Sequence, residues 1–155
     1  MPLDQSSAPN VSGIKISIAT ITAGVVSTTI KPIGHMDSFG TLIDKSRNVT
    51  KFTPMNDTQF EEIIATGSLT QAAYSMGVLY DPESDQGIND LEAAIDNDVT
   101  VQIIIELNNS LGTNGTTIKQ IVKVSSFKVD GSKDSKYIAS FNAEKIGLAT
   151  IIPAA

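Results

Sequence analysis

Three segments in the second half of the chain have the residue pattern of long β-strands. Within residues 99–107 every odd position is apolar, a period of two that suits a strand with one buried face and not a helix. Residues 116–127 and 136–146 are also rich in β-branched side chains, and glycine-containing turns at 108–115 and 130–131 separate the three segments. This order predicts an antiparallel meander.

The rest of the chain adds shorter strand patterns and one helix. Alternating runs at 15–19 and 25–30, and candidate strands at 49–53, 59–66 and 71–80, extend the β prediction, although a short helix over residues 60–64 is also possible. Between 85 and 97 the apolar residues recur at helical spacing, after Ser84 or Asp85 as the capping residue. The fold class predicted is therefore mainly β, with one flanking α-helix.

The domain organisation follows from length and from two polar segments. A chain of 155 residues is long enough for one domain with its own core, which we place at residues 13–155. Residues 1–12 are rich in Ser, Pro and Asn and predict a flexible arm, and they carry neither the basic cluster nor the apolar run of a secretory signal. Residues 35–48 are polar and lack periodicity, which predicts a long loop without a packed element.

Composition argues against several function classes. The chain has no cysteine, which removes disulfide scaffolds, thiolate metal sites and cysteine nucleophiles. Its net charge of −6 disfavours binding to nucleic acid through phosphate contacts. No apolar segment is long enough to span a membrane. His35 is the single histidine and lies in the polar loop, and no nucleophile or nucleotide-binding motif follows a predicted strand. We therefore expect neither enzyme activity nor a bound cofactor.

One acidic segment leaves a binding function open. Residues 81–92 place Asp81, Glu83, Asp85 and Glu92 at positions 1, 3, 5 and 12 of a calcium-binding loop, where oxygen ligands are required. Position 6, where the loop needs glycine for a sharp turn, is Gln86. The capped helix explains the same carboxylates, because acidic groups stabilise a helix N-terminus. A calcium-binding module is the alternative hypothesis for this segment.

The order of these features resembles the tail tube proteins, or major tail proteins, of long-tailed bacteriophages. The resemblance runs over residues 60–147, about three fifths of the chain. Its parts are FEEIIATGS at 60–68, YDPESDQGINDLEAAI at 80–95, the strand VTVQIIIEL at 99–107, GTTIKQIVKVSSF at 115–127 and a closing strand that ends in EKIGLA. The helix has the L-x-x-A spacing in Leu91 and Ala94, and the meander ends in a K-x-G turn at 145–147.

The resemblance implies an antiparallel β-sandwich or partial barrel, six copies of which close into a ring. Stacked rings would form the tube of a virion tail, assembled in the host cytoplasm, through which DNA passes without specific binding. Other tail proteins, namely the tape measure, tail terminator and tail tip, would be its partners. The loop at 35–48 would reach the adjacent ring, with Phe39, Leu42 and Ile43 as apolar contacts. A related ring protein, such as a tail terminator or a secretion-tube component, would share these features.

The strand periodicity also predicts which side chains face away from the subunit core. On residues 99–107 the odd positions would be buried. The outward set comprises Thr100, Gln102 and Glu106 on the first strand, Thr117, Lys119 and Lys123 on the second, and Ser140, Asn142 and Glu144 on the third.

Overall fold

The computed structural model describes residues 13–34, 36–55, 61–83, 86–131 and 136–155. The predicted arm at 1–12, His35 and Asp85 lie outside the described residues. The strands are β1 Lys15–Thr22, β2 Val25–Val26, β3 Lys31–Ile33, β4 Met36–Phe39, β5 Lys45–Phe52, β6 Glu62–Gln71, β7 Tyr74–Leu79, β8 Thr100–Glu106, β9 Thr117–Asp130 and β10 Ile138–Ile152, and the helix α1 is Gln86–Asp96. The mainly-β class with one helix is confirmed.

The described residues form two compact units, of which the larger comprises the described parts of 13–40 and 73–155. Its sheet has the order β2-β1-β8-β9-β10-β7-β4, and β3 pairs with β1 beside β2. Every pairing is antiparallel, and β8, β9 and β10 follow one another as the predicted meander. The strand order does not close into a barrel within the described residues.

The core of the larger unit lies between one face of this sheet and α1. It is built from alternating apolar residues, as expected where the period of two keeps one strand face away from water. The fully or nearly buried side chains include Ile16, Ile18, Tyr74, Val78, Ile88, Leu91, Ala94, Val101, Ile103, Ile105, Ile118, Val122, Ala139, Phe141 and Ala143. The burial of Val101, Ile103 and Ile105 confirms the predicted core face of β8. Ile104 points to the opposite face and is buried as well, with 8% of its surface exposed.

The helix α1 begins and ends within a residue of its predicted limits. At its start, a side chain on Gly87 would bring its Cβ atom into the carbonyl oxygen of Pro32, so only glycine permits this approach to β3. At its end Asp98 adopts a left-handed conformation with φ of 54°. The amide of Val99 then donates to the carbonyl of Ala94 at 3.1 Å, which closes the last turn.

The smaller unit, residues 41–72, is a hairpin of β5 and β6. The predicted loop at 35–48 is corrected here, because it contains β4 and the first residues of β5. β4 pairs with β7 in the larger unit, and β5 pairs with β6. The sequence pattern predicts only the second half of β5, within 49–53, since all residues of this strand are exposed and no apolar alternation is required of them. The segment after Glu61 is strand and not helix.

None of the helices in the described part of the chain is long and apolar enough to cross a membrane.

Candidate functional site

The carboxylates of the acidic segment are distributed over a turn and a helix. Asp81 and Glu83 are exposed on the turn before α1, and Glu92 is half-buried on its second turn. Because α1 begins at Gln86, the carbonyl at loop position 7 lies inside a helix, where it accepts from the amide four residues later instead of facing an ion. Within the described ranges no group of three or more His, Asp or Glu side chains could hold a metal ion.

A cavity of about 400 Å³ adjoins the C-terminal half of α1 and the turn between β1 and β2. Its wall is largely apolar, with Ile21, Val99 and Val101 among the lining residues, and its polar groups are those of Asp90, Asn97 and three threonines. The Asp90 carboxylate is already engaged, since its Oδ2 lies 3.2 Å from the ammonium of Lys31. This lining provides neither an activated nucleophile nor a pair of free carboxylates.

Among the described residues, the side chain whose pKa departs from its ordinary value belongs to the core. Burial raises the pKa of the Tyr74 phenol above its ordinary value, because desolvation penalises the phenolate. The ammonium of Lys145 lies 4.5 Å from the centroid of this ring, in cation–π geometry. The pair fixes β7 against β10 and is not placed at an opening where a substrate could bind.

The hairpin of the smaller unit exposes apolar side chains along both strands. Phe52 and Ile63 are 51% and 62% exposed, and Val49 and Met55 are exposed as well. An isolated two-stranded hairpin is marginally stable in water, and exposed apolar clusters on a monomer mark interaction sites. The basic residues of β5 are also exposed, and one of them, Arg47, donates from Nη1 to the carbonyl of Gly67 at 3.1 Å. We name residues 45–55 and 61–71 the hairpin surface.

The three predicted apolar contact residues are divided between the units. Phe39 is half-buried at the end of β4, opposite Met76 of β7. Leu42 is half-buried and Ile43 is exposed, and both precede β5 in the smaller unit. The apolar residues at 49–53 and 59–66 predict strands with one buried face, and nothing in their pattern indicates that those of β5 and β6 are exposed.

The two longest strands are paired only in part along one edge. β7 pairs with β10 no further than Ala143, although β10 continues to Ile152. Likewise β8 pairs with β9 no further than Lys123, although β9 continues to Asp130. We name residues 148–152 the β10 edge and residues 124–130 the β9 edge. No strand among the described residues pairs with either of them on the side away from the β9–β10 ladder.

The outward face of the meander carries charges of both signs. Lys123 and Glu144 are exposed, as predicted, and Lys119 is half-buried. The buried residues that alternate with them along each strand point to the core face. The Lys123 ammonium lies 2.8 Å from a carboxylate oxygen of Asp98 at the end of α1. This face therefore combines polar, basic and acidic side chains on a rigid sheet.

Comparison with known proteins identifies the fold but no family. No family model and no curated protein matches the sequence. A subunit of the SPP1 tail tube matches with a TM-score of 0.65 and 12% identity, over 89% of this chain and 75% of that one. A chain of the six-fold symmetrised anti-feeding prophage baseplate gives 0.67 and 10%, over 94% and 97%. A chain of the gene transfer agent tail with C6 symmetry gives 0.66 and 11%, over 94% and 99%. The chain shares the fold of these tail components.

Proposed function

We propose that this chain is a structural subunit of the tail tube of a virion or a virus-like particle. The observation that carries the proposal is the fold likeness, which covers nearly the whole chain and is found with tail components of three different particles. The arrangement of the described residues agrees with such a role, since β5 and β6 expose Val49, Phe52 and Ile63, and β10 exposes Leu148 and Ile151. We assign the chain no catalytic role and no cofactor.

Self-association is the activity that this role requires. Six copies would close into a ring, and rings would stack into a tube. The hairpin surface would contact the adjacent ring, where burial of Phe52, Ile63 and Ile43 would remove apolar area from water. Phe39 and Leu42 would contribute at the same junction. The marginal stability of a free hairpin explains why these contacts would form only on assembly.

A ring of this size leaves room for DNA. About 24 strands, four from each of six copies, spaced ~4.8 Å apart and tilted by ~45°, give a circumference of about 160 Å and a backbone diameter of roughly 50 Å. The net charge of −6 per chain would repel the phosphate backbone, so that DNA could be ejected without forming stable ion pairs. The tube would assemble in the host cytoplasm together with tape measure, terminator and tip proteins.

Electron microscopy of the purified chain tests the proposal. We expect negatively stained rings or hollow tubes, with about sixfold symmetry in end views. The double variant Phe52→Ser, Ile63→Ser should stay dispersed under the same conditions, and Thr50→Ser, an exposed polar change in the same hairpin, should assemble normally. A compact monomer at every concentration, in the presence and absence of the other tail proteins, would contradict the proposal.

A related ring protein is the second candidate, because one of the matching structures is that of the six-fold symmetrised anti-feeding prophage baseplate. Antibody labelling of particles purified from producing cells separates the two. A tube subunit should be labelled along the tail once the outer surface is opened, whereas a terminator or baseplate ring should be labelled at one end only.

A further inference from the structure

The β10 edge and the β9 edge differ from the other borders of the sheet in their length. At the remaining borders the structure has β2 with two residues and β4 with four. Such short border strands limit uncontrolled pairing with other chains. In contrast, β10 has 15 residues and β9 has 14, and each extends well beyond its second neighbour. The two longest strands are therefore the ones whose borders are not paired by any other described strand.

The two edges are placed so that one copy can continue the sheet of another. They lie on opposite sides of the β9–β10 ladder, because β10 is flanked by β7 and β9 by β8. They also lie at opposite ends of it, since the β9 edge faces the start of β10 and the β10 edge faces the start of β9. A second copy in the same orientation, displaced along the strands, would bring its β9 edge beside the β10 edge of the first in antiparallel direction.

The side chains at both edges suit burial against a second copy. Within the β10 edge, Leu148 and Ile151 are 68% and 51% exposed, and Ile152 is exposed too. On the β9 edge Val129 is exposed and Phe127 is half-buried. The single lysine of this edge, Lys128, lies 3.1 Å from a carboxylate oxygen of Asp130, so its charge has a partner on the same strand. Pairing would cover the apolar groups without burying an unpaired charge.

We propose that residues 148–152 of one copy pair with residues 124–130 of the next copy as antiparallel strands. The contact uses different surfaces on the two partners, and such head-to-tail contacts close into rings or continue as helices. The displacement between copies tilts the strands relative to the axis, as a closed wall of strands requires. This inference rests on the proposed function and specifies which surfaces join the subunits within a ring.

Cysteine cross-linking tests the pairing, and the absence of native cysteine makes the readout clean. One copy carries Thr150→Cys or Ile152→Cys, and a differently tagged copy carries Ser126→Cys, Lys128→Cys or Asp130→Cys. The variants are mixed, assembled, oxidised and separated by denaturing electrophoresis. We expect each cysteine of β10 to join one preferred cysteine of β9 at least tenfold more than Ala93→Cys on the exposed face of α1. Moving the β10 cysteine forward by two residues should move its preferred partner backward by two.

The outcomes separate this inference from the function on which it rests. Rings or tubes seen by microscopy without heterodimers between these positions would overturn the pairing and leave the tube role intact. A preferred partner that moves forward together with the β10 cysteine would also overturn it, because that pattern belongs to parallel strands. If the unsubstituted chain forms no assembly and the variants form no heterodimer, both proposals fail.

Discussion

The buried side-chain amide of Gln120 on β9 donates hydrogen bonds to the backbone of the long strand β10. Its side chain is 1% exposed, and Nε2 lies 2.9 Å from the carbonyl oxygen of Ile146, 3.0 Å from that of Ile121 and 3.3 Å from that of Gly147. The ladder between β9 and β10 is irregular between Ile146 and Thr150, and Gly147 has φ of 70° there. The Gln120 amide thus donates hydrogen bonds to carbonyl groups at the point where the regular backbone ladder is interrupted.

We expect Gln120→Leu to lower the free energy of unfolding by about 2 kcal/mol. Each hydrogen bond contributes roughly 0.5–1.5 kcal/mol net, and a buried carbonyl left without a donor costs about 1–3 kcal/mol. The three contacts share two amide hydrogens, so they count as about two bonds, and burial of the leucine side chain offsets part of the loss. For a chain of this length 2 kcal/mol corresponds to a melting temperature lower by roughly 4–8 °C.

Urea unfolding followed by circular dichroism measures this difference. The protein must be dilute and shown to be monomeric by light scattering, because assembly makes the apparent stability depend on concentration. Gln102→Leu is the matched control, since Gln102 is half-buried on the opposite face of the neighbouring strand. A loss below about 0.5 kcal/mol for Gln120→Leu, or one equal to the control, would refute the role given to the buried amide.

Other consequences of the structure can be measured on the same protein. Leu91→Ala, in the fully buried face of α1, should destabilise by about 2–5 kcal/mol in urea unfolding, and a value near zero would mean that the helix is not packed as described. Asp98→Val should cost about 1–2 kcal/mol because a β-branched residue resists the left-handed conformation, whereas Asp98→Gly should lie within about 1 kcal/mol of the parent. Calorimetric titration with calcium should give no saturable heat, since α1 occupies the second half of residues 81–92.

The sequence was most informative where one strand face is buried and the other is not. On β9 and β10 the outward sets, including Lys123 and Glu144, were predicted from the period of two, because any slip by one residue would expose the apolar set. The period of two predicts Val99 in the core, but its side chain is exposed. It precedes β8, and its amide closes the last turn of α1 before the strand begins. The strand period therefore applies only after this turn.

The surfaces proposed to join copies are harder to predict for a physical reason. A strand exposed on both faces, such as β5, has no constraint on its side-chain period, so the polar sequence of its first four residues, 45–48, predicts a loop. The sequence also does not indicate that β7 stops pairing with β10 at Ala143, or that β8 stops pairing with β9 at Lys123. The side chains of one strand do not depend on the length of the strand beside it. The surfaces that would join copies are thus not packed within a single chain, so its sequence shows no buried-face pattern for them.

The mixed charge of the outward face is compatible with a passage for DNA if that face lines the bore. In a wall with a backbone diameter of roughly 50 Å, a duplex on the axis is separated from side-chain charges by a distance comparable with the screening length of about 8–10 Å. Single lysines then act only when the duplex touches the wall. The ammonium of Lys123 is 2.8 Å from the Asp98 carboxylate, so a phosphate would have to compete with that carboxylate for it. Brief contacts of this kind would slow DNA less than a row of free lysines, and the net charge of −6 per chain would keep such an assembly repulsive as a whole.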